Sequence, residues 1–290
     1  MSLAALLLVL AGAALHAAWN IVAKRAAGGG VVFVWLFGLV SIALAAPLAA
    51  WTWWRHPQGL TPAMGAAVLA SAAVHVLYSL VLQRGYREGA FSVVYPVARG
   101  SGPLFSVAAA LMVWAERPSA LGWAGVAALL AGLFVSAGGS QLLRRGDAPG
   151  QRSGVYWGLL TGLFIAGYTL IDGWAVKSLG MAPVLFYALA LLSRSLLLAP
   201  FAWRRRTEFR GQWQAHRQAI VLVGLLSPAA YTLVLLAVQV SPLSYVAPVR
   251  EVSMLIGTFF GARLLGEAVK PAQVVGAGVM VSGVLALALA

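Results

Sequence analysis

Ten stretches of this chain are apolar for about twenty residues at a time, a length that matches the hydrocarbon core of a bilayer. They fall at 3–23, 31–53, 62–83, 91–114, 119–141, 154–175, 181–203, 218–239, 243–263 and 271–289. Together they take up most of the 290 residues and leave no room for a soluble domain. Charged residues make up 9% of the chain, against about 25% in an ordinary soluble domain. The expected fold is therefore an all-α membrane protein with ten transmembrane helices. The first run is not read as a signal peptide, because no basic segment precedes Leu3 and the run is too long for an h-region. The chain has no cysteine, which excludes disulfides and cysteine-ligated metal.

The formal net charge is +13. Membrane proteins concentrate basic residues in short cytoplasmic loops, so this surplus reads as topogenic and not as a nucleic-acid footprint. The loop "WRRRTEFRGQWQAHR" (203–217) is one such segment. Fourteen of the 20 basic residues fall in loops 1–2, 3–4, 5–6, 7–8 and 9–10, and three (Arg55, Arg117, Lys177) on the opposite side. That bias predicts both termini outside the cytoplasm.

The chain also repeats itself at half its length. "YSLVLQRGYREGAFSVVYPVARGSG" (78–102) lies on "YTLVLLAVQVSPLSYVAPVREVS" (231–253), matching Tyr78 to Tyr231 and Pro96-Val97 to Pro248-Val249. Glu116, Gly125 and Gly132 match Glu267, Gly276 and Gly283 at a constant offset, while Asn20 and Arg25 fall on Asp172 and Lys177. Repeats of five crossings each must enter the membrane in opposite directions. The expected architecture is two inverted five-helix repeats, 1–143 and 153–290, joined by a basic linker at 144–152. Such repeats place a transporter's substrate site near the midplane where they meet.

Five charges lie inside the apolar runs: Arg99, Asp172, Arg194, Arg250 and Glu251. A charge at the bilayer centre costs about 2.5–3.5 kcal/mol and normally faces a bundle interior or a wet cavity. Adjacent helical residues point about 100° apart, so Arg250 and Glu251 are not expected to neutralise each other. The repeat places Arg99 opposite Glu251, which predicts that these two approach and leave Arg250 for an anionic substrate group; a static structural network of all three is the alternative. Pro96 and Pro248 each remove a helix donor beside these charges, which predicts irregular backbone lining a cavity in both halves.

The candidate substrate-binding residues are Trp19, Asn20, Tyr78, Tyr95, Arg99, Tyr231, Arg250 and Glu251. Glu251 and Asp172 are the candidates for proton coupling. Arg194 either faces the cavity or pairs with Asp172. His16 and His75 read as satisfied core histidines, and the tryptophans of "WTWW" (51–54) as an interfacial belt. Gly158-x-x-x-Gly162 and Gly278-x-x-x-Ser282 predict close helix packing. No phosphate loop, HExxH pattern or nucleophile elbow is present, so no catalytic residue, metal site or cofactor is expected.

Several segments, in order, resemble the EamA-type family of the drug/metabolite transporter superfamily: "LHAAWNIVAKR", "YREGAFSVVYPVARGSGPLFS", "APVREVSMLIGTFFGARLLGE" and "GAGVMVSGVLAL". The resemblance spans essentially the whole chain. It implies a multi-pass carrier of the bacterial inner membrane that moves small metabolites, commonly by efflux of amino acids or related compounds. It also implies a central cavity lined by the segments Pro96–Arg99 and Pro248–Glu251, and cytoplasmic termini, opposite to the charge count. The expected activity is secondary transport by alternating access, with a small molecule and the lipid bilayer as partners. A sugar-phosphate or nucleotide-sugar transporter of the same fold, and a membrane-embedded enzyme or scaffold, are the alternatives. No feature sets an oligomeric state.

Overall fold

A computed structural model describes residues 1–24, 30–89, 91–136, 151–265 and 270–290. Arg25, Glu267 and positions 144–150 of the expected linker lie outside the described residues, as do the side chains of Lys24 and Pro96. The helices are α1 (Leu3–Lys24), α2 (Gly30–Arg55), α3 (Pro62–Glu88), α4 (Phe91–Val113), α5 (Ala120–Ser136), α6 (Gln151–Gly173), α7 (Pro183–Trp203), α8 (Phe209–Val240), α9 (Leu243–Arg250), α10 (Val252–Leu265) and α11 (Pro271–Leu289). No strand occurs among the described residues. Among the described residues, eight helices are long and apolar enough to cross a membrane, and α5 is a shorter apolar helix. The chain is an all-helical, multi-pass membrane protein.

Helix starts follow local chemistry. Thr61 accepts a hydrogen bond from the Met64 N–H, and Pro62, Pro183 and Pro271 each open a helix where their missing donor costs nothing. Three crossings differ from the expected runs. Helix α6 widens into a π-turn over Trp174–Ser178, beyond its expected end. Helix α8 begins at Phe209 instead of 218, but His216 is non-helical (φ −128°, ψ 16°), so the polar first turns bend away from the apolar remainder. The ninth run is divided: α9 ends at Arg250, Glu251 forms the break, and the Glu251 N–H bonds back to Pro248 O at 3.1 Å. Helix α4 stays continuous through Pro96, so the expected irregular backbone occurs in one half only.

Packing follows a consistent pattern when α9 and α10 are counted as one crossing. Helix α4 packs on α6, and α10 on α1; α1 packs on α8, and α6 on α3; α2 packs on α8, and α7 on α3. Each pair becomes the next if crossing n is exchanged for crossing n+5. The pairs α2–α7, α4–α9 and α5–α11 map onto themselves.

At α5–α11 the exchange reaches single residues. Gly125 faces Gly283, and Gly132 faces Gly276. A Cβ on Gly132 would lie 2.6 Å from the Gly276 carbonyl oxygen, and one on Gly276 would lie 2.6 Å from that of Gly132. Residue numbers rise on one helix as they fall on the other, so α5 and α11 run antiparallel. Only glycine permits backbones this close. Gly158 and Gly162 do the same against α4, as expected. Gly278 has open space around it, and the Ser282 hydroxyl bonds its own helix at Val279 O. The expected Gly278/Ser282 contact is therefore not made; α11 turns its Gly276 and Gly283 face to its partner instead.

The loops segregate. Gln58 Nε2 donates to Gly180 O (3.0 Å) and Gln58 Oε1 accepts from Ala182 N (3.0 Å), while Gln239 Nε2 donates to Val176 O (3.3 Å). The Met1 ammonium donates to Leu287 O at 3.1 Å. Lys177 Nζ donates to Glu116 Oε1 at 3.3 Å, so loops 2–3, 4–5, 6–7 and 8–9 share one face with both termini. Trp51, Trp53 and Trp54 are exposed, as an interfacial belt requires.

Candidate functional site

The helix break at Glu251 brings its carboxylate against α4. Arg99 Nη1 donates to Glu251 Oε2 at 3.1 Å. Arg250 Nε and Nη2 both reach Glu251 Oε1 at 3.4 Å, so the expectation that these neighbours stay apart is corrected. The 100° rule holds within a continuous helix, and here the helix stops between the two residues. One carboxylate therefore lies between two guanidiniums, with one bond of good length and two at the long limit. Glu251 is 2% exposed and Arg250 7%, while the Arg99 side chain keeps 25%. The group carries one positive charge more than it neutralises.

A second polar cluster lies where α3, α6 and α8 meet. The Tyr231 hydroxyl donates to Asp172 Oδ2 at 2.5 Å, and Asp172 is 1% exposed. The His75 ring is in hydrogen-bond contact with Ser71 O at 2.9 Å and stacks on Tyr168 with centroids 4.0 Å apart. Tyr168 also meets Tyr78 edge-on, and Tyr187 lies 5.0 Å from Tyr231. Arg194 makes no ion pair with Asp172; its charge acts on this cluster from a distance.

The remaining predicted residues lie around these two clusters. Tyr95 sits under the Arg99 guanidinium at 5.8 Å. Asn20 donates its amide to His16 O on its own helix at 2.7 Å, and His16 packs edge-on against Trp19 at 4.9 Å. The Trp19 indole N–H is buried with no hydrogen-bond partner. A buried orphan donor calls for an acceptor from outside the chain. Trp19, Tyr78, Tyr95, Arg99, Tyr168 and Tyr231 come from five helices, yet each is only half-buried. Each of the six therefore keeps some accessible surface. Tyr168 and Tyr187 were missed in the sequence; Tyr168 stands one turn before Asp172 on the same face of α6, the one signal that marks it.

Toward the face that carries the termini, the structure is sewn shut. Glu116 accepts from the backbone N–H groups of Leu243 (2.8 Å) and Ser244 (2.9 Å), at the start of α9, and from Lys177 Nζ (3.3 Å). Its side chain is 8% exposed. Ala115, just before it, is held at φ 48°, a left-handed conformation that costs a non-glycine residue about 1–3 kcal/mol. Burial opposes ionisation of Glu116, but the Ser244 and Leu243 donors and the Lys177 charge outweigh it, and its carboxyl titrates below the usual range. The stabilisation it provides is thus complete at neutral pH and is lost only as acid takes the pH down through that lowered value.

No curated protein matches the sequence. A solved crystal structure superposes with a TM-score of 0.75, covering 100% of this chain and 98% of the other at 15% sequence identity, a likeness of fold alone. Residues 152–289 match the model of the EamA-like transporter family. The resemblance read from the sequence is borne out over residues 152–289.

Proposed function

We propose that the chain is a secondary transporter that moves a small carboxylate-bearing metabolite, such as an amino acid, by alternating access. The observation that carries this reading is an unbalanced charge within the helices: two arginines share one carboxylate at the junction of α4 and α9, and the Arg99 side chain stays 25% exposed, which we read as facing a central hollow. A buried surplus charge in lipid is costly unless water or a ligand meets it. A single net charge suits one carboxylate, while the aromatic faces of Trp19, Tyr78 and Tyr95 suit the rest of an amphipathic substrate. A sugar phosphate would want more free cations than the pairing with Glu251 leaves.

The inverted-repeat reading, with halves at 1–143 and 153–290, is supported by the antiparallel α5–α11 contact and by the exchange of packing pairs. Under that exchange Arg99 and Glu251 trade places, so their ion pair lies on the pseudo-two-fold axis. Glu116 holds the termini face closed in this conformation. Its sequence counterpart is Glu267, and that of Lys177 is Arg25, so the same composition recurs toward the opposite face. Export across a bacterial inner membrane, with a proton carried by Asp172 or Glu251, completes the reading. The charge count favours termini outside the cytoplasm.

The test is counterflow in proteoliposomes. Internal unlabelled amino acid is expected to drive uptake of the labelled compound, and Arg250→Gln to cut the rate at least tenfold while the protein remains folded. Equal counterflow by the corresponding amino-acid amides, which lack the carboxylate, contradicts the proposal.

A further inference from the structure

A crevice of about 370 Å³ opens where α8 bends. Its walls are Val22, from the last turns of α1, and Gln214, His216, Arg217, Gln218 and Leu222 from α8. The run from Arg206 to Val240 has 35 residues, about 52 Å of helix, against about 30 Å of hydrocarbon. Its first third therefore lies outside the core, and His216 marks the corner. The segment before that corner has the chemistry of a helix lying in the membrane surface. Arg204, Arg205, Arg206, Arg210 and Arg217 are all exposed, and among them only Arg205 reaches a carboxylate, Glu208 at 4.0 Å. Trp203 and Trp213 are exposed too, while Phe209 stacks on Trp35 at 5.2 Å and pins the segment to α2. Just past the corner, Val221, Leu222 and Leu225 form an exposed apolar strip.

We infer that this corner is a binding site for an anionic phospholipid. The headgroup phosphate sits in the crevice between the Arg217 guanidinium and the Gln214 and Gln218 amides. One acyl chain runs along Val221, Leu222 and Leu225. Four arginines without a carboxylate partner among the described residues favour a headgroup of net negative charge over a zwitterionic one, because choline would return a positive charge to the same place. The site stands apart from the Arg99 cluster and does not depend on what the hollow carries.

The test uses the delipidated full chain in detergent, titrated with dioleoyl-phosphatidylglycerol or dioleoyl-phosphatidylcholine and read by native mass spectrometry. Phosphatidylglycerol is expected to be retained more strongly. Arg217→Gln is expected to weaken its retention about fivefold, the size of one basic residue at an anionic surface, and Arg217→Lys to preserve it. Glycerol phosphate at millimolar concentration is expected not to displace the lipid. Equal retention of the two lipids, no change in Arg217→Gln, or displacement by glycerol phosphate each overturns the assignment.

Discussion

Glu251→Ala is expected to lower the stability of the protein by about 3–5 kcal/mol, because it leaves Arg250 buried without a counter-charge. The loss is a desolvation effect. Arg250 keeps 7% exposure and, among the described residues, has no carboxylate other than Glu251 within bonding reach, whereas Arg99 has accessible surface and the Tyr95 ring. The paired replacement Arg250→Met with Glu251→Leu is expected to recover most of that stability, since apolar residues of similar volume substitute well for a buried ion pair. It is not expected to recover transport. Thermal unfolding in detergent and counterflow, measured on all three proteins, separate the two effects. A paired variant that transports normally would show that the charges only hold the bundle together.

The second large effect is steric. Gly132→Val places its Cβ 2.6 Å from a backbone oxygen of Gly276, where no side chain can rotate aside. Overpacking of this kind costs about 1–3 kcal/mol, and here α5 and α11 must separate along their length to relieve it. Gly276→Val is expected to cost a similar amount. The two together are expected to cost less than the sum, because one separation admits both side chains. Gly278→Ala, two residues away with open space around it, is the neutral control. Equal melting temperatures for Gly132→Val and Gly278→Ala would mean that the helices do not meet at this face.

The all-helical, multi-pass character, the glycines matched between the halves and the Arg99–Glu251 approach were legible in the sequence. Each rests on spacing along the chain or on an offset between halves. The unread features depend on what lies across a gap between helices. Gly278 and Ser282 have the spacing of a packing motif, yet the partner helix meets the face of Gly276 and Gly283. Arg250 was assigned away from Glu251 because a continuous helix would separate them, and the break that joins them is a backbone event. Pro248 predicted that break, but Pro96 in the same sequence context did not produce one. Tyr168 and Tyr187 carried no motif at all. Glu116 was read as a marker of the repeat, and its role as a cap on α9 appears only once Leu243 and Ser244 are brought beside it.

The account depends on a water-filled hollow around Arg99, and the chain offers a clean way to probe it because it has no cysteine. Single cysteines at Asn20, Tyr78 and the lipid-facing Leu225 are to be treated with a charged, membrane-impermeant thiol reagent in sealed vesicles of known orientation. Cysteines at Asn20 and Tyr78 are expected to react from one side and to be shielded by transported substrate, while the one at Leu225 stays unreactive. No reaction at Asn20 or Tyr78 from either side would mean that the charges sit in a dry core, and that no path for a substrate exists there.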